Sequence, residues 1–594
     1  STKDFTFQAL QKAGTSSTLQ HHQLTLEFTS NPAWYAVQAL PYLMEYPYQC
    51  TEQIFSRFYA NSLATEVANA HPKVKEVFEA WKNTPALESN LAKNQELKTA
   101  LLEETPWVLA AQSEAAQKKQ IGLLFDLNRM AEEQAAALAI LVDRQQSSGG
   151  FSWFPGGREN WYITQYIVEG LGHLDRLGVR DIKKDDKTEA LVKKAIRFID
   201  GEIVQHYKEL RKRVKQANGN LEADHLSNIA IHYLYTRSFF LEYTVDGDAK
   251  TAFDYYLGQA EKYWLQRGLY QEGLIALSLQ RTNRNTVAAA IVKSLKERSL
   301  NNEEMGMYWK YSRGYNWYQM PIETHALMIE VFDEVAKDNQ AVNDLKVWLL
   351  KNKQTTNWKT TKATASAVYG LLLRGANWLV EDQDLEITIG GKKLDQSTIK
   401  KEAGTGYFKT NWKGAAVTPA MSSVTVRNPN SSVAWGAMYW QYFENLDKIK
   451  TFEETPLEIK KQLFKEIPSS TGPKITPVTA ETALIPGDKL KVRIEIRVDR
   501  AMEYVHLKDM RAAGLEPINT ISRYQWQGGL GYYESTRDAA TNFFISYLPK
   551  GTYVFEYPLR VSHKGDFSNG ITTMQCMYAP EFTSHSEGIR IKVK

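Results

Sequence analysis

Hydrophobic and polar positions divide the chain into a short beginning with period two, a long helical middle and a second part with period two. Residues 22–28 alternate polar and apolar side chains, which predicts a β-strand. From Asn31 to about Leu373 apolar residues recur at helical spacing, beginning with asparagine as cap and Pro32 at the first helical position. The predicted helices include residues 54–70, 123–146, 163–177, 187–216, 253–265, 285–297, 323–335 and 362–373.

Roughly ten helices joined by short loops predict paired helices in a ring or solenoid. A weak internal repeat supports the ring, because residues 144–166 and 352–365 share one pattern. In each, an outgoing helix ends in Gln, a loop carries an aromatic residue, and a helix start containing Thr follows. Ordinary helix capping around an aromatic plug would give the same pattern.

After about Glu381 the period returns to two. Residues 385–394 predict a hairpin that turns at Gly390-Gly391, and residues 423–427 and 433–442 predict two more strands. A charged stretch at 446–474 is interpreted as a linker. Beyond it, residues 490–498 alternate strictly, and further strands at 543–548 and 553–561 predict a β-sandwich.

Length and composition exclude several classes of protein. A chain of 594 residues predicts about two to four domains, and its 43% hydrophobic and 24% charged residues are ordinary for a globular protein. The net charge of +4 comes without a basic run, so nucleic acid is not an expected partner. No stretch of about twenty apolar residues predicts a membrane span. Because the chain begins with Ser1 and has no signal peptide, we expect it to be a fragment of a longer protein.

The strongest chemical signal is Cys50-Thr51-Glu52-Gln53 at the start of a predicted helix. Side chains three residues apart are neighbours on a first helical turn, so the sulfur of Cys50 can reach the amide of Gln53. Attack of the thiolate on that amide, with loss of ammonia, would give an internal thioester. The alternative is a small buried thiol near a helix start. Since a sulfur in an acyl bond cannot form a disulfide, we do not expect Cys50 to pair with Cys576.

Residues 46–53, Tyr-Pro-Tyr-Gln-Cys-Thr-Glu-Gln, resemble the thioester motif of bacterial alpha-2-macroglobulins. Residues 433–443 resemble the last strand of that family's CUB-like domain, and residues 577–581 match a pattern near its C-terminus. The resemblance implies a multidomain α plus β fold, in which an α/α toroid thioester domain is inserted in a CUB-like β domain and a macroglobulin-like β-sandwich follows. The implied domains are the CUB-like part at 1–30 and 380–445, the toroid at 31–379, the linker at 446–474, and the receptor-binding-type sandwich at 475–594.

The same resemblance implies roles for individual residues. Cys50 supplies the sulfur and Gln53 the acyl carbon of the thioester. An apolar cover would have to keep water from this bond. The other motif positions are Tyr46, Pro47, Tyr48 and Glu52, and the candidate shielding residues are Trp34, Tyr35, Met577 and Tyr578.

The implied function is a protease trap that works without metal or cofactor and is not an enzyme. Cleavage of a bait segment, expected upstream of this chain, would uncover the thioester for attack by a lysine of the protease. Residues 145–166 contain no histidine that would redirect the bond to hydroxyl groups, so amines are the expected acceptors. The resemblance further implies the bacterial cell envelope or periplasm, a lipid anchor outside this chain, and an envelope partner protein.

Two alternatives remain open at this stage. A helical ring followed by β-sandwiches is also the plan of some polysaccharide lyases and glycoside-processing enzymes, in which Trp153, Trp161 and Trp358 could line a sugar cleft. A non-reactive adhesion or scaffold protein is the other. His225 and His232, seven residues apart on one predicted helix, lack a third metal ligand, and acidic pairs such as Glu303-Glu304 are expected on solvated faces.

Overall fold

The structure is a computed structural model. It describes residues 1–34, 50–70, 72–81, 106–107, 127–311, 320–355, 358, 361–373, 383–430, 433–452, 454–577 and 579–594. Asn31 and Pro32 lie at a turn, as the capping pattern requires, and the helix predicted after them falls mostly outside these residues.

Helices occupy most of the first two thirds of the chain. The sequence bounds them well where one face is apolar and the other polar. In the helix Asp186–Gln216, for example, the buried residues recur every three or four positions, from Thr188 to Leu210. The described helices are α1 (Gln8–Gln11), α2 (Thr51–Ala70), α3 (Pro72–Trp81), α4 (Leu127–Arg144), α5 (Trp161–Arg176), α6 (Asp186–Gln216), α7 (Asn228–Arg237), α8 (Gly247–Tyr263), α9 (Leu269–Arg281), α10 (Asn285–Glu297), α11 (Pro321–Val331), α12 (Asn339–Thr355) and α13 (Thr361–Leu372).

Six of these helices form a closed inner ring. In order around the ring they are α2, α5, α7, α9, α11 and α13, each packed against the next, and α13 packs back against α2. The helices α4, α6, α10 and α12 pack on the outside of this ring, and α8 packs against α6, α7 and α9. The α/α toroid predicted from the helical pattern is therefore confirmed as the architecture of the helical region.

The strands before the helices pair with strands that come after them. Strands β1 (Thr2–Thr6) and β2 (Gln20–Thr29) precede the ring. Within its sheet β2 lies between two later strands, since Leu24 is opposite Trp412 on one side and Trp440 on the other. The ring is thus inserted into a β unit, as predicted. The later strands are β5 (Glu386–Ile389), β6 (Lys392–Lys393), β7 (Phe408–Lys413), β8 (Ser423–Arg427) and β9 (Trp435–Phe443), in sheets of order β1-β8-β5-β6 and β7-β2-β9.

The last part of the chain is a sandwich of two antiparallel sheets. Their orders are β11-β10-β12-β18-β14 and β15-β16-β17-β13-β20-β21, and their inner faces share one hydrophobic core. The alternation read at residues 490–498 is visible in β12, whose even-numbered residues are all buried. The strands are β10 (Leu457–Ile467), β11 (Lys474–Pro477), β12 (Lys489–Val498), β13 (Met502–Met510), β14 (Leu515–Pro517), β15 (Arg523–Gln527), β16 (Leu530–Thr536), β17 (Ala540–Leu548), β18 (Gly551–Val561), β19 (Gly565–Ser568), β20 (Thr572–Cys576), β21 (Thr583–His585) and β22 (Arg590–Val593).

The linker predicted at 446–474 is wrong where it includes residues 457–467. Residues 457–467 form β10, which pairs with β12 along its whole length, with Leu463 opposite Val492. The charged residues of this segment hid its alternation. Lys461 is itself buried, where it forms a 2.6 Å ion pair with Asp509. The other domain limits stay predictions.

One hairpin interrupts the helical region without a signal in the sequence. It consists of β3 (Leu300–Asn302) and β4 (Gly306–Tyr308), joined by a turn that carries Glu303 and Glu304. Within the described parts of the chain, no helix is both long and apolar enough to cross a membrane.

Candidate functional site

Cys50 lies directly before helix α2, at the edge of the inner ring. Its carbonyl oxygen accepts the N–H of Ile54 at 3.1 Å, the first hydrogen bond of the helix, so Cys50 is the N-cap residue. Serine, threonine, asparagine or aspartate usually caps a helix with a side-chain oxygen. Here a sulfur stands in that place, 8% exposed.

Burial sets the protonation of this thiol. It raises the pKa of Cys50 above the ordinary value of 9.0, and the charge of Glu52 acts in the same direction. The backbone N–H groups of Gln53 and Glu52 and the charge of Arg144 oppose this rise in pKa, because they favour the thiolate. The buried site therefore keeps the thiol protonated, although the groups around it are arranged to stabilise the anion.

Gln53 is one of the motif residues that the sequence singled out. The oxygen Oε1 of its amide is buried and has no hydrogen-bond partner among the described residues. A buried amide oxygen without a partner is costly and uncommon in folded proteins. Conversion of this amide to a thioester, whose carbonyl oxygen is a weaker hydrogen-bond acceptor, would remove part of that cost.

A loop between α4 and α5 holds the first turn of α2. Thr51 is fully buried, and its N–H donates to the carbonyl oxygen of Trp153 at 2.9 Å. Arg144, the last residue of α4, donates from Nη1 to Thr51 Oγ1 at 3.3 Å. The same loop lies close to α6, where Gly149 has φ +95° and a Cβ would be 2.1 Å from the carbonyl oxygen of Lys194.

Glu52 points towards the interior of the ring. Its Oε1 accepts the hydroxyl of Ser56 at 3.0 Å, and this hydroxyl lies 3.3 Å from the hydroxyl of Tyr166 on α5. Ser56 was not recognised from the sequence, although its spacing of four residues from Glu52 places both on one helix face. These bonds tie the first turn of α2 to the neighbouring inner helix.

A buried cation lies next to this contact. Lys362 of α13 donates from Nζ to the hydroxyl of Tyr162 at 3.2 Å and lies over the rings of Tyr162 and Tyr166, 5.5 and 5.6 Å from their centres. Burial opposes its charge, but Tyr270, Tyr162 and nearby carboxylates raise the pKa of Lys362 well above its ordinary value. This lysine is therefore a charged component of the ring and not a nucleophilic amine at neutral pH.

Carboxylates balance the charge at the centre of the ring. Glu169 on α5 lies 2.6 Å from Nε2 of His232 on α7, and His232 Nδ1 lies 2.8 Å from the amide of Gln165. Burial alone would favour the neutral acid. The hydrogen bond and charge of His232 outweigh it and bring the pKa of Glu169 from 4.5 to about 2.

This depressed pKa predicts a loss of stability in acid. Because the folded pKa lies below the unfolded one, the contribution of Glu169 is complete above pH 4.5 and is lost as the pH falls towards 2. The loss should be roughly 3 kcal/mol by linkage. Chemical unfolding of the wild-type protein and of Glu169→Gln, measured from pH 6 to pH 3, checks this. The difference in unfolding free energy between the two should shrink as the pH falls, and a constant difference would contradict the assignment.

The structure describes only some of the other predicted site residues. Trp34 is buried against Trp81 at the joint between the ring and the first β unit, where a Cβ on Gly404 would touch it. Met577 is buried beside Trp107 and Phe544 in the C-terminal sandwich. Their shielding of Cys50 stays a prediction. Tyr35, Tyr46, Pro47, Tyr48 and Tyr578 lie outside the described residues.

One expectation about polar residues is wrong and another is confirmed. His225 does not share a helix with His232, because it lies in the turn before α7, with Nε2 2.8 Å from the carbonyl oxygen of Asn220. As expected, Glu303 and Glu304 are exposed, and they lie on a hairpin, where they form ion pairs with Lys3 of β1 and with Arg500 of the sandwich. These two carboxylates therefore connect three parts of the fold.

No disulfide joins Cys50 and Cys576. Cys576 lies in the core of the C-terminal sandwich, with Sγ 3.5 Å from the carbonyl oxygen of Glu503. In the described parts of the chain, no group of three or more histidine, cysteine or acidic side chains could hold a metal ion.

Arg144 gives a prediction specific to this site. The variant Arg144→Gln removes the cation that favours the Cys50 thiolate, so the pKa of this thiol should rise. After the thiol has been freed with methylamine, its alkylation by iodoacetamide should follow a pH profile displaced to higher pH and should be severalfold slower at pH 7.5. Arg158→Gln, a change at an exposed position in the same loop, is the control and should leave the profile in place.

The fold and the site together define a multidomain protein with a helical ring, a cysteine-capped inner helix and a C-terminal β-sandwich. Residues 457–581 match the family model of the bacterial alpha-2-macroglobulin MG10 domain. For this segment, the resemblance drawn from the sequence is confirmed. No curated protein matches this sequence.

Solved bacterial alpha-2-macroglobulins are similar in structure. For trypsin-activated protein from Escherichia coli the identity is 13% and the TM-score 0.44, covering 100% of this chain and 36% of that one. For the Salmonella protein reacted with methylamine these values are 14%, 0.34, 99% and 33%. The native E. coli protein from domain MG7 to the C-terminus gives 12%, 0.34, 100% and 81%. This chain spans about a third of the length of the first two.

Proposed function

We propose that this chain is the reactive C-terminal portion of an alpha-2-macroglobulin that inhibits proteases by covalent capture through a Cys50–Gln53 thioester. The observation that carries the proposal is the geometry of one helical turn. A buried cysteine caps α2, and three residues later an amide oxygen is buried without a partner among the described residues. The MG10 match at residues 457–581 supports the same family of inhibitors.

The proposed chemistry has two steps. The Cys50 thiolate attacks Cδ of Gln53, the C–N bond of the amide breaks, and nitrogen leaves as ammonia with the proton of the thiol. Later a lysine amine of the protease attacks the same carbon, the C–S bond breaks, and an amide joins the two proteins. The sulfur leaves as a thiolate that takes up the proton lost by the amine, so each site reacts once and the protein is not an enzyme.

Exposure of the site would itself activate the bond. A thiol with a lower pKa is a better leaving group. Burial is the largest cause that raises the pKa of Cys50, whereas the N–H groups of Gln53 and Glu52 lower it. When the cover is removed, the first effect disappears and the second remains. Opening therefore admits the amine and improves the leaving group together.

The other parts of the trap would lie outside this chain. We propose that the bait segment precedes it in the full-length protein, and that an anchor and a partner in the cell envelope or periplasm complete the system. Attacking proteases are the proposed targets, since cleavage of the bait brings a protease lysine to the uncovered bond.

The mass of the untreated protein tests the proposal. Loss of ammonia should make it about 17 Da lighter than the sequence requires. Methylamine should then add about 31 Da and release one thiol at Cys50. Peptide mapping should place the methylamide on Gln53. A full sequence mass in freshly prepared, unheated protein, with Gln53 unmodified and Cys50 free, would contradict the proposal.

The polysaccharide lyase alternative loses support from the tryptophans. In that alternative, Trp153, Trp161 and Trp358 would together line one open sugar cleft. Trp358 is buried and Trp161 is half buried against His206 of α6, whereas Trp153 stacks on Tyr162 beside the cysteine. These three residues do not form one exposed surface.

A further inference from the structure

Trp107 is a residue of the helical region that is inserted into the C-terminal sandwich. It comes from the segment between α3 and α4, yet it is only 2% exposed. Its ring meets those of Tyr504 and Phe544 edge to face, with centroids 5.3 and 5.2 Å away. Its indole Nε1 lies 3.3 Å from Ser546 Oγ.

The surface that contacts the Trp107 ring is apolar and largely aromatic. Phe543 and Ile545 of β17 point into the sandwich core, whereas Phe544, between them, points the other way and is covered by Trp107. Tyr533 and Met577 complete the pocket. We name the pocket formed by Tyr504, Tyr533, Phe544, Ser546 and Met577 the aromatic socket. Without Trp107 it would expose a large apolar patch on a sheet face.

Strain in the socket links Trp107 to Met577. Tyr504 has φ +55°, the left-handed region that a tyrosine rarely adopts. In this conformation its carbonyl oxygen accepts the N–H of Met577 at 2.8 Å. Trp107 thus contacts a residue whose backbone is held in a costly conformation. The contact stabilises this conformation, and its loss would allow the backbone of Tyr504 to relax.

The charged contact between the same two parts of the fold is weaker. Arg500 of the sandwich donates to both carboxylate oxygens of Glu304 on the β3–β4 hairpin, at 2.8 and 3.1 Å. The Glu304 side chain is half exposed, so water and salt screen this pair. The buried aromatic contact is the better candidate for holding the two parts together.

We propose that Trp107 is a latch, whose insertion into the aromatic socket holds the C-terminal sandwich against the helical ring and whose withdrawal frees the two. Because the socket includes Met577, the latch also fixes the start of the segment that follows β20. The latch goes beyond the proposed function and does not depend on thioester chemistry.

Hydrogen exchange and small-angle X-ray scattering on the 594-residue chain test the latch. We compare Trp107→Ala with Trp526→Ala, which removes an exposed tryptophan from the same sandwich. All variants carry Cys50→Ala, so that no thioester can form. Trp107→Ala should make the peptides that cover β13 and β17 exchange severalfold faster and should increase the radius of gyration. Trp526→Ala should change neither.

A second variant separates the latch from damage to the fold. Tyr504→Asn removes the ring that Trp107 contacts, and asparagine tolerates a positive φ better than tyrosine does. The sandwich should therefore keep its stability while the latch is released, with the same faster exchange and larger radius. If exchange and scattering of Tyr504→Asn and of folded Trp107→Ala both equal those of Trp526→Ala, the latch is refuted.

Protein that retains Cys50 gives a third readout, which rests on the proposed function. Release of the latch should speed methylamine incorporation by about tenfold, because the open state becomes more populated. The mass of the untreated protein shows beforehand whether a thioester is present. A missing thioester would refute the proposed function and leave the exchange experiment on the latch decisive.

Discussion

Replacing Cys50 with alanine is expected to abolish amine incorporation while the protein stays folded. The change removes the only sulfur that can form the proposed bond with Gln53. The loss of folding stability should be that of losing a helix cap, about 1 kcal/mol, because the side chain is small and lies at the N-terminal end of α2. Labelled methylamine followed by intact mass measures the incorporation, and thermal unfolding measures the fold.

The second cysteine supplies the control. Cys576 lies in the sandwich core, so Cys576→Ala should incorporate methylamine as the wild-type protein does, with some loss of stability from the small cavity. Incorporation that persists in folded Cys50→Ala protein would show that the reactive bond is elsewhere.

Replacing Arg281 with methionine should be the most destabilising change within the ring, costing about 3–5 kcal/mol. Arg281 Nη2 lies 2.6 Å from Glu330 Oε1, and their side chains are 9% and 1% exposed. Glu330 also accepts hydroxyl hydrogens from Tyr235 and Tyr369, on two further inner helices. Removal of this cation leaves a buried carboxylate without its closest counter-charge. Chemical unfolding at pH 7 measures the loss.

A surface pair on an outer helix is the matched control. Lys250 and Asp254 lie 2.5 Å apart on α8, with side chains 54% and 47% exposed. Lys250→Met should cost less than about 1 kcal/mol, because solvent screens such pairs. Equal losses for the two variants would show that burial at the ring centre does not matter.

The pattern of the sequence predicted inner and outer helices alike, but the predicted stretches did not include α7, α9 or α12. Residues 285–297 were predicted as a helix, and α10 has these bounds, because its apolar positions lie on one face. The inner helix α9 was not among the predicted stretches. In α9 all residues from 270 to 279 are buried, so no exposed polar face marks the helical period. Burial on every side does not always hide a helix, because α5 and α11 are also buried all round and were predicted.

The candidate site was also predicted only in part. Cys50 and Gln53 were recognised because a contact three residues apart follows from helix geometry alone. Arg144 and Trp153 reach the same region from the end of α4 and the loop after it. Lys362 reaches it from α13, the last inner helix in the chain. Their positions depend on how the ring closes, which no local pattern records. At β10 the many lysines and glutamates led to the prediction of a linker, although the segment is a strand within the sheet.

The closure of the ring also sets the order of its assembly. The first inner helix, α2, packs against the last, α13, although about 290 residues separate them in the chain, and such distant contacts form late in folding. During synthesis on the ribosome the helix that follows Cys50 therefore emerges well before α13, its final neighbour. Until then the sulfur of Cys50 is accessible to oxidants and to other nascent chains. We expect the acyl bond to be a product of completed maturation, absent from chains truncated before residue 361.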